Sequence, residues 1–216
     1  MQNNLKNRIY TSFGLIFLLI LMFLNTYVLG YFLMIIGIFS VIEFSNIILR
    51  LKKNNIFQSL FFNLLFLTYV FLIFSTFLVL SFFSHLKILL FIILITCVSS
   101  DIGGYIFGKV FKGPKLTRIS PKKTISGSLG SMIFSMIFLS LLIYYFTKNF
   151  EIYILFAGIS ISIICQLGDL FISFLKRKSK IKDTGKILPG HGGVLDRIDG
   201  IIFGVPLGFI IMTLIY

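Results

Sequence analysis

Long stretches of apolar sequence that are almost free of charge constrain this chain more than any other feature. Glu43 is the only charged residue between Ile9 and Leu49, and no charged residue occurs in Asn54–His85. A helix that spans a bilayer needs about 20 predominantly apolar residues. The mean hydropathy of +1.03 is also outside the range of soluble domains. We therefore predict an all-α polytopic integral membrane protein.

About seven transmembrane helices fit into the 216 residues, which leaves no room for a separate soluble domain. No small-x-small cleavage site follows the first apolar run, so a cleaved signal peptide is not expected. Cys97 and Cys165 fall inside predicted spans, where packing as small apolar residues is their expected role. The predicted helices occupy residues 9–24, 27–49, 56–82, 86–107, 124–147, 152–175 and 200–216.

The basic residues are distributed very unevenly between the two sides of this predicted topology. Of the 20 Lys and Arg, 18 fall on the side of the N-terminus, and only Lys87 and Lys148 fall on the other. The positive-inside rule places the N-terminus and the basic connections in the cytosol. We therefore expect a multi-pass protein of the inner (cytoplasmic) membrane. Its net charge of +13 then reflects topology and attraction to lipid headgroups, and nucleic acid is not an expected partner.

Four polar residues lie at a similar depth in four predicted helices. Each is about 10 Å below the cytosolic surface, at a rise of 1.5 Å per residue, and they are Glu43, Asn63, Asp101 and Asp169. A carboxylate inside a span normally faces a partner or a water-filled cavity. We favour a shared pocket open to the cytosol over four independent positions at helix ends. The outer halves contain no ionisable residue well inside a span, which argues against a transport path.

The segment 99–115, SSDIGGYIFGKVFKGPK, combines a carboxylate with closely spaced glycines. Gly104 and Gly108 form a small-xxx-small pair of the kind that lets helices pack closely. Bare backbone beside a carboxylate would also let a ligand approach. The depth of Asp101 favours a site over packing alone.

The segment 119–132, ISPKKTISGSLGSM, predicts the start of a transmembrane helix. Ser120 and Pro121 suit the N-cap and the first helical position. Lys122 and Lys123 would then lie in the first turn, where the helix dipole disfavours cations. A bound phosphate would relieve this repulsion, whereas lysines that only set topology are an equally good explanation.

The segment 166–199 brings carboxylates together with basic residues. Asp169, Ser173 and Lys176 recur at i, i+4 and i+7, hence on one helix face. Asp196 and Asp199 are three residues apart, so we expect both on one face of the next helix. Paired carboxylates near cations suit Mg²⁺, which completes its coordination shell with phosphate and water. The combination favours phosphoryl or nucleotidyl transfer.

These motifs resemble those of the phosphatidate cytidylyltransferases (CDP-diacylglycerol synthases). From Ser173 to Asp199 the chain reads S-x-L-K-R, four residues, K-D-x-G, then L-P-x-H-G-G-x-x-D-R-x-D, similar to the family signature at every defined position. S-D-x-x-x-Y-x-x-G at 100–108 and S-P-K-K-T at 120–124 are similar to other family motifs. The resemblance covers about 99–216, so we expect the catalytic region there and N-terminal transmembrane helices at 1–98.

The resemblance implies that phosphatidate attacks the α-phosphorus of CTP, giving CDP-diacylglycerol and pyrophosphate. It also implies Mg²⁺, with or without a second cation, and suggests a homodimer. The implied metal ligands are Asp169, Asp196 and Asp199. The implied catalytic residues are Asp169, Asp196, Lys176, Arg177 and His191, the last as a base or as a turn-stabilising or phosphate-contacting residue. The implied substrate-binding residues are Asp101, Lys122, Lys123, Ser173, Lys182, Asp183 and Arg197.

Two positions depart from the family pattern, because this chain has Ser126 and Ile172 where family members often have Glu. Three other functions remain open at this point. They are a related lipid nucleotidyl- or phosphotransferase acting on another lipid, an ion-coupled transporter or channel, and a non-catalytic homologue that binds nucleotide or lipid.

Overall fold

The computed structural model describes residue 14 and residues 17–52, 55–117, 119–185 and 192–215. Residues 17–24 are helical, and the helices that follow are numbered here in chain order. They are α1 (Thr26–Leu51), α2 (Ile56–Leu80), α3 (Ser84–Val110), α4 (Ile125–Thr147), α5 (Ile152–Lys178), α6 (Leu195–Ile198) and α7 (Ile201–Ile215).

Within the described ranges, six helical segments are long and apolar enough to cross a membrane. They are α1 to α5 and the segment Leu195–Ile215, which contains α6 and α7. The prediction of an all-α membrane protein is thus confirmed, and six segments are close to the predicted seven. Of the remaining prediction, a helix at 9–24, residues 14 and 17–24 are described and helical, and the other residues lie outside the described ranges.

Asparagine side chains determine where α1 and α2 begin. Asn25 Oδ1 accepts a hydrogen bond from Tyr27 N at 2.9 Å, and Asn55 Oδ1 accepts one from Gln58 N at 3.1 Å. The first N–H groups of a helix lack intrahelical partners, so these side chains satisfy donors that apolar neighbours would leave unpaired. Apolar sequence permits a helix at many positions, and the caps select one.

The predicted start of α4 at Ser120 was wrong. The helix begins at Ile125, and the side chain of Thr124 caps it by accepting a hydrogen bond from Gly127 N. The preceding residues form a backbone pairing instead, with Leu116 N donating to Lys123 O at 2.8 Å. This pairing takes up backbone groups that an earlier helix start would have used. Lys122 and Lys123 therefore precede the helix and do not occupy its first turn.

The chain forms two compact units. The first consists of Met1–Lys87 and Leu175–Ile198, and the second of Ile88–Phe174 and Asp199–Tyr216. The predicted division into N-terminal helices at 1–98 and a catalytic region at 99–216 concerns function and not compactness. It stays a prediction.

In the first unit, α1 packs against α2 and also contacts α6. Phe44 and Phe66 stack with ring centroids 3.9 Å apart. Earlier in α1, Gly37 lets the two helices approach closely, because a Cβ there would lie 3.2 Å from the ring of Phe74 in α2. Helix α1 also carries a buried ionisable group, the side chain of Glu43, which is only 2% exposed.

In the second unit, α3 and α4 approach closely through their glycines. A Cβ at Gly103 would lie 2.6 Å from the backbone oxygen of Gly130. A Cβ at Gly104 would lie 2.5 Å from Ser131 Oγ, and one at Gly108 would lie 3.1 Å from Thr124 Oγ1. Such distances leave no space for a side chain, so helix packing accounts for these glycines.

The same unit contains a line of buried and partly buried hydroxyl and amide groups that links three helices. Ser100 Oγ of α3 lies 2.8 Å from Ser162 Oγ of α5. Gln166 Nε2 donates to Ser162 Oγ at 3.1 Å, and Ser128 Oγ of α4 donates to Gln166 Oε1 at 2.5 Å. Interhelical hydrogen bonds of this type contribute about 0.6 kcal/mol each on average within membranes.

Cys97 and Cys165 are both buried and free. They face α7 where it lacks a side chain, since a Cβ at Gly204 would lie 2.8 Å from Cys97 Sγ and closer still to Cys165 Sγ. The expected packing role of the two cysteines agrees with this position.

We predict that Gly103→Ala destabilises the protein by about 1–3 kcal/mol, because the added methyl group overpacks the contact between α3 and α4. The thermal unfolding midpoint in detergent measures the effect. Gly14→Ala is the control, since nothing lies within 4 Å of a Cβ at that position. Equal midpoints for the two variants would contradict the tight packing.

Candidate active site

Asp196, on the short helix α6 of the first unit, is held by three hydrogen-bond donors. Lys176 Nζ donates to Oδ1 at 2.6 Å. The backbone N–H groups of Thr184 and Gly193 donate to Oδ2 at 2.8 and 3.1 Å. The side chains of the ion pair are 11% and 8% exposed, so it is largely removed from solvent. We call Lys176, Thr184, Gly193 and Asp196 the Asp196 cluster.

Glu43 of α1 holds the same segment of chain from another side. Its Oε2 accepts from Thr184 Oγ1 at 2.6 Å and from Leu195 N at 2.9 Å, and its Oε1 accepts from Val194 N at 3.0 Å. The sequence marked Glu43 as the only charge in a long apolar stretch. It did not indicate these partners, which lie more than 140 positions away.

Two glycines before α6 have separate structural reasons. Gly192 has φ +88°, in the left-handed region that favours glycine. Gly193 has no space for a side chain, because a Cβ would lie 2.7 Å from Glu43 Oε1 and closer to Thr184 Oγ1. The Gly-Gly pair thus lets backbone N–H groups approach both carboxyl groups.

Asp169 of α5 and Lys123 form an ion pair in the second unit, with side chains 28% and 26% exposed. Ser173 Oγ donates to Asp169 Oδ1 at 3.3 Å, one helical turn further along. This contact confirms that Asp169 and Ser173 share a helix face. We call Lys123, Asp169 and Ser173 the Asp169 cluster.

The two departures from the family motifs have different surroundings. Ser126 Oγ donates to the backbone oxygen of Lys112 and lies 3.1 Å from Thr124 Oγ1. Ile172 is fully buried. A glutamate in its place would need a buried hydrogen-bond partner, so the isoleucine is consistent with its apolar surroundings.

The prediction that Asp196 and Asp199 share one helix was wrong. Helix α6 ends at Ile198, and Asp199 lies in the turn before α7, where its Oδ1 accepts a hydrogen bond from Gly200 N at 3.0 Å. Gly200 packs closely on the backbone of Cys165.

The other predicted site residues are mostly exposed. The exposed side chains are those of Asp101, Lys122, Arg177, Lys182, Asp183 and Arg197. His191 lies outside the described residues. The roles of these exposed residues and of His191 stay predictions.

The predicted pocket of four polar groups also stays a prediction. Glu43 and Asn63 belong to the first unit, whereas Asp101 and Asp169 belong to the second. Among the described residues of the first unit, the buried atoms Asn63 Oδ1 and Ser59 Oγ have no hydrogen-bond partner.

The carboxylates of both clusters have the chemistry of Mg²⁺ ligands. In the described part of the chain, no three His, Cys, Asp or Glu side chains are grouped to hold a metal ion. Mg²⁺ needs only one or two protein carboxylates when phosphates and water complete its shell. Asp169 fits this role well because it is partly exposed. A cation at Asp196 would have to replace the ammonium group of Lys176.

The architecture and these two clusters define a polytopic membrane protein with lysine-paired carboxylates. A family model described as "Cytidylyltransferase family" matches residues 2–215. The chain therefore belongs to the cytidylyltransferase family.

Similar proteins carry a more specific name. The chain is 44% identical over 128 residues to a protein of Rickettsia typhi named phosphatidate cytidylyltransferase, covering 55% of this chain and 56% of that protein. It is 46% identical over 110 residues to the Staphylococcus haemolyticus protein of the same name, covering 50% and 42%. The aligned regions thus span about half the length of the curated relatives that the chain matches.

We predict that Lys176→Met destabilises the protein by about 3 kcal/mol, because it leaves Asp196 buried without its cation. Lys180→Met removes the same charge from an exposed position just beyond the same helix and should cost less than about 0.5 kcal/mol. Thermal unfolding in detergent compares the two variants. Similar losses would mean that the ion pair is not specifically stabilising.

Proposed function

We propose that this protein transfers a cytidylyl group from CTP to phosphatidate, forming CDP-diacylglycerol and pyrophosphate. Family membership and the shared name of the relatives in Rickettsia and Staphylococcus support a cytidylyl transfer to this lipid. A phosphate oxygen of phosphatidate forms the new bond to the α-phosphorus, and the bond between the α-phosphorus and the bridging oxygen breaks. Pyrophosphate leaves with the electron pair of that bond.

The observation that carries this proposal is that two of the three candidate metal carboxylates pair with lysines that the resemblance implies for catalysis or substrate binding. Asp169 pairs with Lys123, and Asp196 pairs with Lys176. Before substrate arrives, each lysine neutralises its carboxylate. In a complex with nucleotide and metal ion, the carboxylates would hold the cation and the ammonium groups would bind phosphate oxygens. An exchange of this kind conserves the charge balance of the site.

Mg²⁺ is the cofactor that we propose, with Asp169 and Asp196 as its carboxylate ligands. Asp199 is a further candidate. When bound, Mg²⁺ would neutralise phosphate oxygens and polarise the α-phosphorus. Ser173 orients the Asp169 carboxylate through its hydrogen bond.

Exposed basic residues would complete the contacts to the anionic substrates. Lys122, Arg177, Lys182 and Arg197 are exposed and can reach phosphate oxygens without a large desolvation cost. His191, Asp101 and Asp183 retain the roles that the family resemblance implies.

The reaction would take place at the cytosolic surface of the cytoplasmic membrane. CTP would arrive from water and phosphatidate from the bilayer, and a homodimer is the expected assembly. The distribution of basic residues supports this orientation, because only Lys87 and Lys148 fall on the opposite side.

We predict that the purified protein releases pyrophosphate in mixed micelles that contain phosphatidate, CTP and Mg²⁺. Asp169→Asn should lower the rate by about 100-fold or more, since it removes the negative charge of a carboxylate that would hold the metal ion at the phosphates. Glu151→Gln changes an exposed carboxyl group before α5 and should leave the rate unchanged.

Normal Mg²⁺-dependent turnover of CTP in both Asp169→Asn and Asp196→Asn would disprove the proposed site. Release that requires a different lipid phosphate would indicate a related transferase. Nucleotide binding without any release would indicate a non-catalytic homologue.

We also predict the orientation of the chain in the membrane. Asn149→Cys should react with an impermeant maleimide in intact cells, whereas Lys178→Cys should react only after the membrane is opened. The native Cys97 and Cys165 are 0% and 2% exposed, so they provide a low background. The reverse labelling pattern would place the basic connections outside the cytosol.

A further inference from the structure

We infer that Glu43 is a positioning residue for the proposed reaction, holding the chain at Thr184 and at Gly193–Leu195 in the conformation that orients Asp196. The effect on catalysis rests on the proposed function. The structural part of the inference, that Glu43 holds this segment in place, does not depend on the proposed function.

Three donors converge on this one side chain from a distant part of the sequence. Two are the successive backbone N–H groups of Val194 and Leu195, where α6 begins, and the third is the hydroxyl group of Thr184. The Glu43 side chain is 2% exposed, so water does not offer alternative partners. The carboxyl group accepts in all three contacts and thereby satisfies donors at the start of α6.

The Glu43 carboxyl group and Asp196 bind the same stretch of backbone. Thr184 donates its hydroxyl hydrogen to Glu43 Oε2 and its backbone N–H to Asp196 Oδ2. Gly193 N donates to Asp196 Oδ2, and the next two N–H groups donate to Glu43. A displacement of this backbone by loss of the Glu43 contacts would therefore move the donors that orient Asp196.

The packing around the Glu43 carboxyl group leaves little freedom for another arrangement. A Cβ at Gly185 or at Gly193 would overlap its oxygens. The two glycines thus let backbone lie against a carboxyl group in a space that no other residue type would permit.

Stability alone does not explain a carboxyl group at this position of an apolar helix. Replacing buried polar groups by apolar side chains of similar volume is often neutral or stabilising. A carboxyl group that accepts three hydrogen bonds instead specifies one backbone conformation, because each donor must stay in place to avoid being buried unpaired. A role in positioning explains why it is retained beside Asp196.

The test compares Glu43→Gln with Ser40→Ala. The glutamine has the same shape, but its NH₂ group faces at least one backbone N–H donor. Ser40 is the matched control, because it is buried on the same helix and its hydroxyl group donates to Ile36 O of α1 itself. Thr184→Val and Thr184→Ser form a second pair, in which only serine keeps the hydroxyl group.

Two measurements are made on each purified protein. Hydrogen–deuterium exchange follows the peptide that contains Val194 and Leu195, and also peptides of α2 as a reference. Pyrophosphate release gives kcat, KM for CTP and the Mg²⁺ concentration for half-maximal rate. A fraction of inactive protein lowers the apparent kcat but does not change the last two quantities.

We expect faster exchange at Val194 and Leu195 in Glu43→Gln, with α2 unchanged. The Mg²⁺ concentration for half-maximal rate should rise by about 10-fold or more, as for the loss of an outer-shell partner of a metal ligand. Thr184→Val should show the same changes to a smaller extent. Thr184→Ser keeps the hydroxyl donor and should show slower exchange at Val194 and Leu195 than Thr184→Val, and Ser40→Ala should resemble the unmodified protein.

Unchanged exchange at Val194 and Leu195 in Glu43→Gln would overturn the holding role. Glu43 would only stabilise the fold, without positioning Asp196, if exchange became faster throughout the protein. The same would follow if the Mg²⁺ requirement stayed unchanged despite faster local exchange. If the unmodified protein releases no pyrophosphate, the proposed function fails, while the exchange data still decide whether Glu43 holds the segment.

Discussion

A polar group that leaves water on folding must find a hydrogen-bond partner, and in this chain that requirement governs most of the specific contacts. Apolar side chains can pack against lipid or against one another in many registers, so they select few unique arrangements. The buried polar groups are more demanding, because each unpaired donor or acceptor costs about 1–3 kcal/mol. Glu43 with its three donors and the Ser100–Ser162–Gln166 line each connect segments that are distant in sequence.

The same requirement connects structure to the proposed chemistry. A site for nucleotide and lipid phosphate needs carboxylates for a metal ion and cations for phosphate oxygens, and both are costly near a bilayer. The protein lowers this cost by pairing Asp169 with Lys123 and Asp196 with Lys176. Glycines at 185 and 193 then allow backbone N–H groups to supply the remaining hydrogen bonds. Within the first unit, Gly193 and the carboxyl groups of Glu43 and Asp196 are therefore parts of one hydrogen-bonded arrangement.

Particular residues show how far the sequence could be interpreted. The apolar stretches predicted the membrane helices, and the spacing of Asp169 and Ser173 predicted a contact that the structure contains. Ser120–Pro121 predicted a helix start that is absent, because a backbone pairing between Leu116 and Lys123 competes with it. Asp196 and Asp199 were expected on one helix, but α6 ends between them. Local propensity is a weak guide wherever a contact from elsewhere in the chain satisfies the same backbone groups.

By itself, the sequence determined the class of protein and the apolar segments that are long enough to span a membrane, and it predicted the excess of basic residues on one side and the residues for the proposed chemistry. These properties depend on composition and on short-range periodicity, which a single chain displays directly. Only the tertiary structure decided which lysine pairs with which carboxylate, where α4 begins, and that Glu43 binds Thr184, Val194 and Leu195. Hydrogen bonds between segments more than 140 residues apart leave no periodic pattern in the sequence, because their donors are largely backbone groups that every residue type provides.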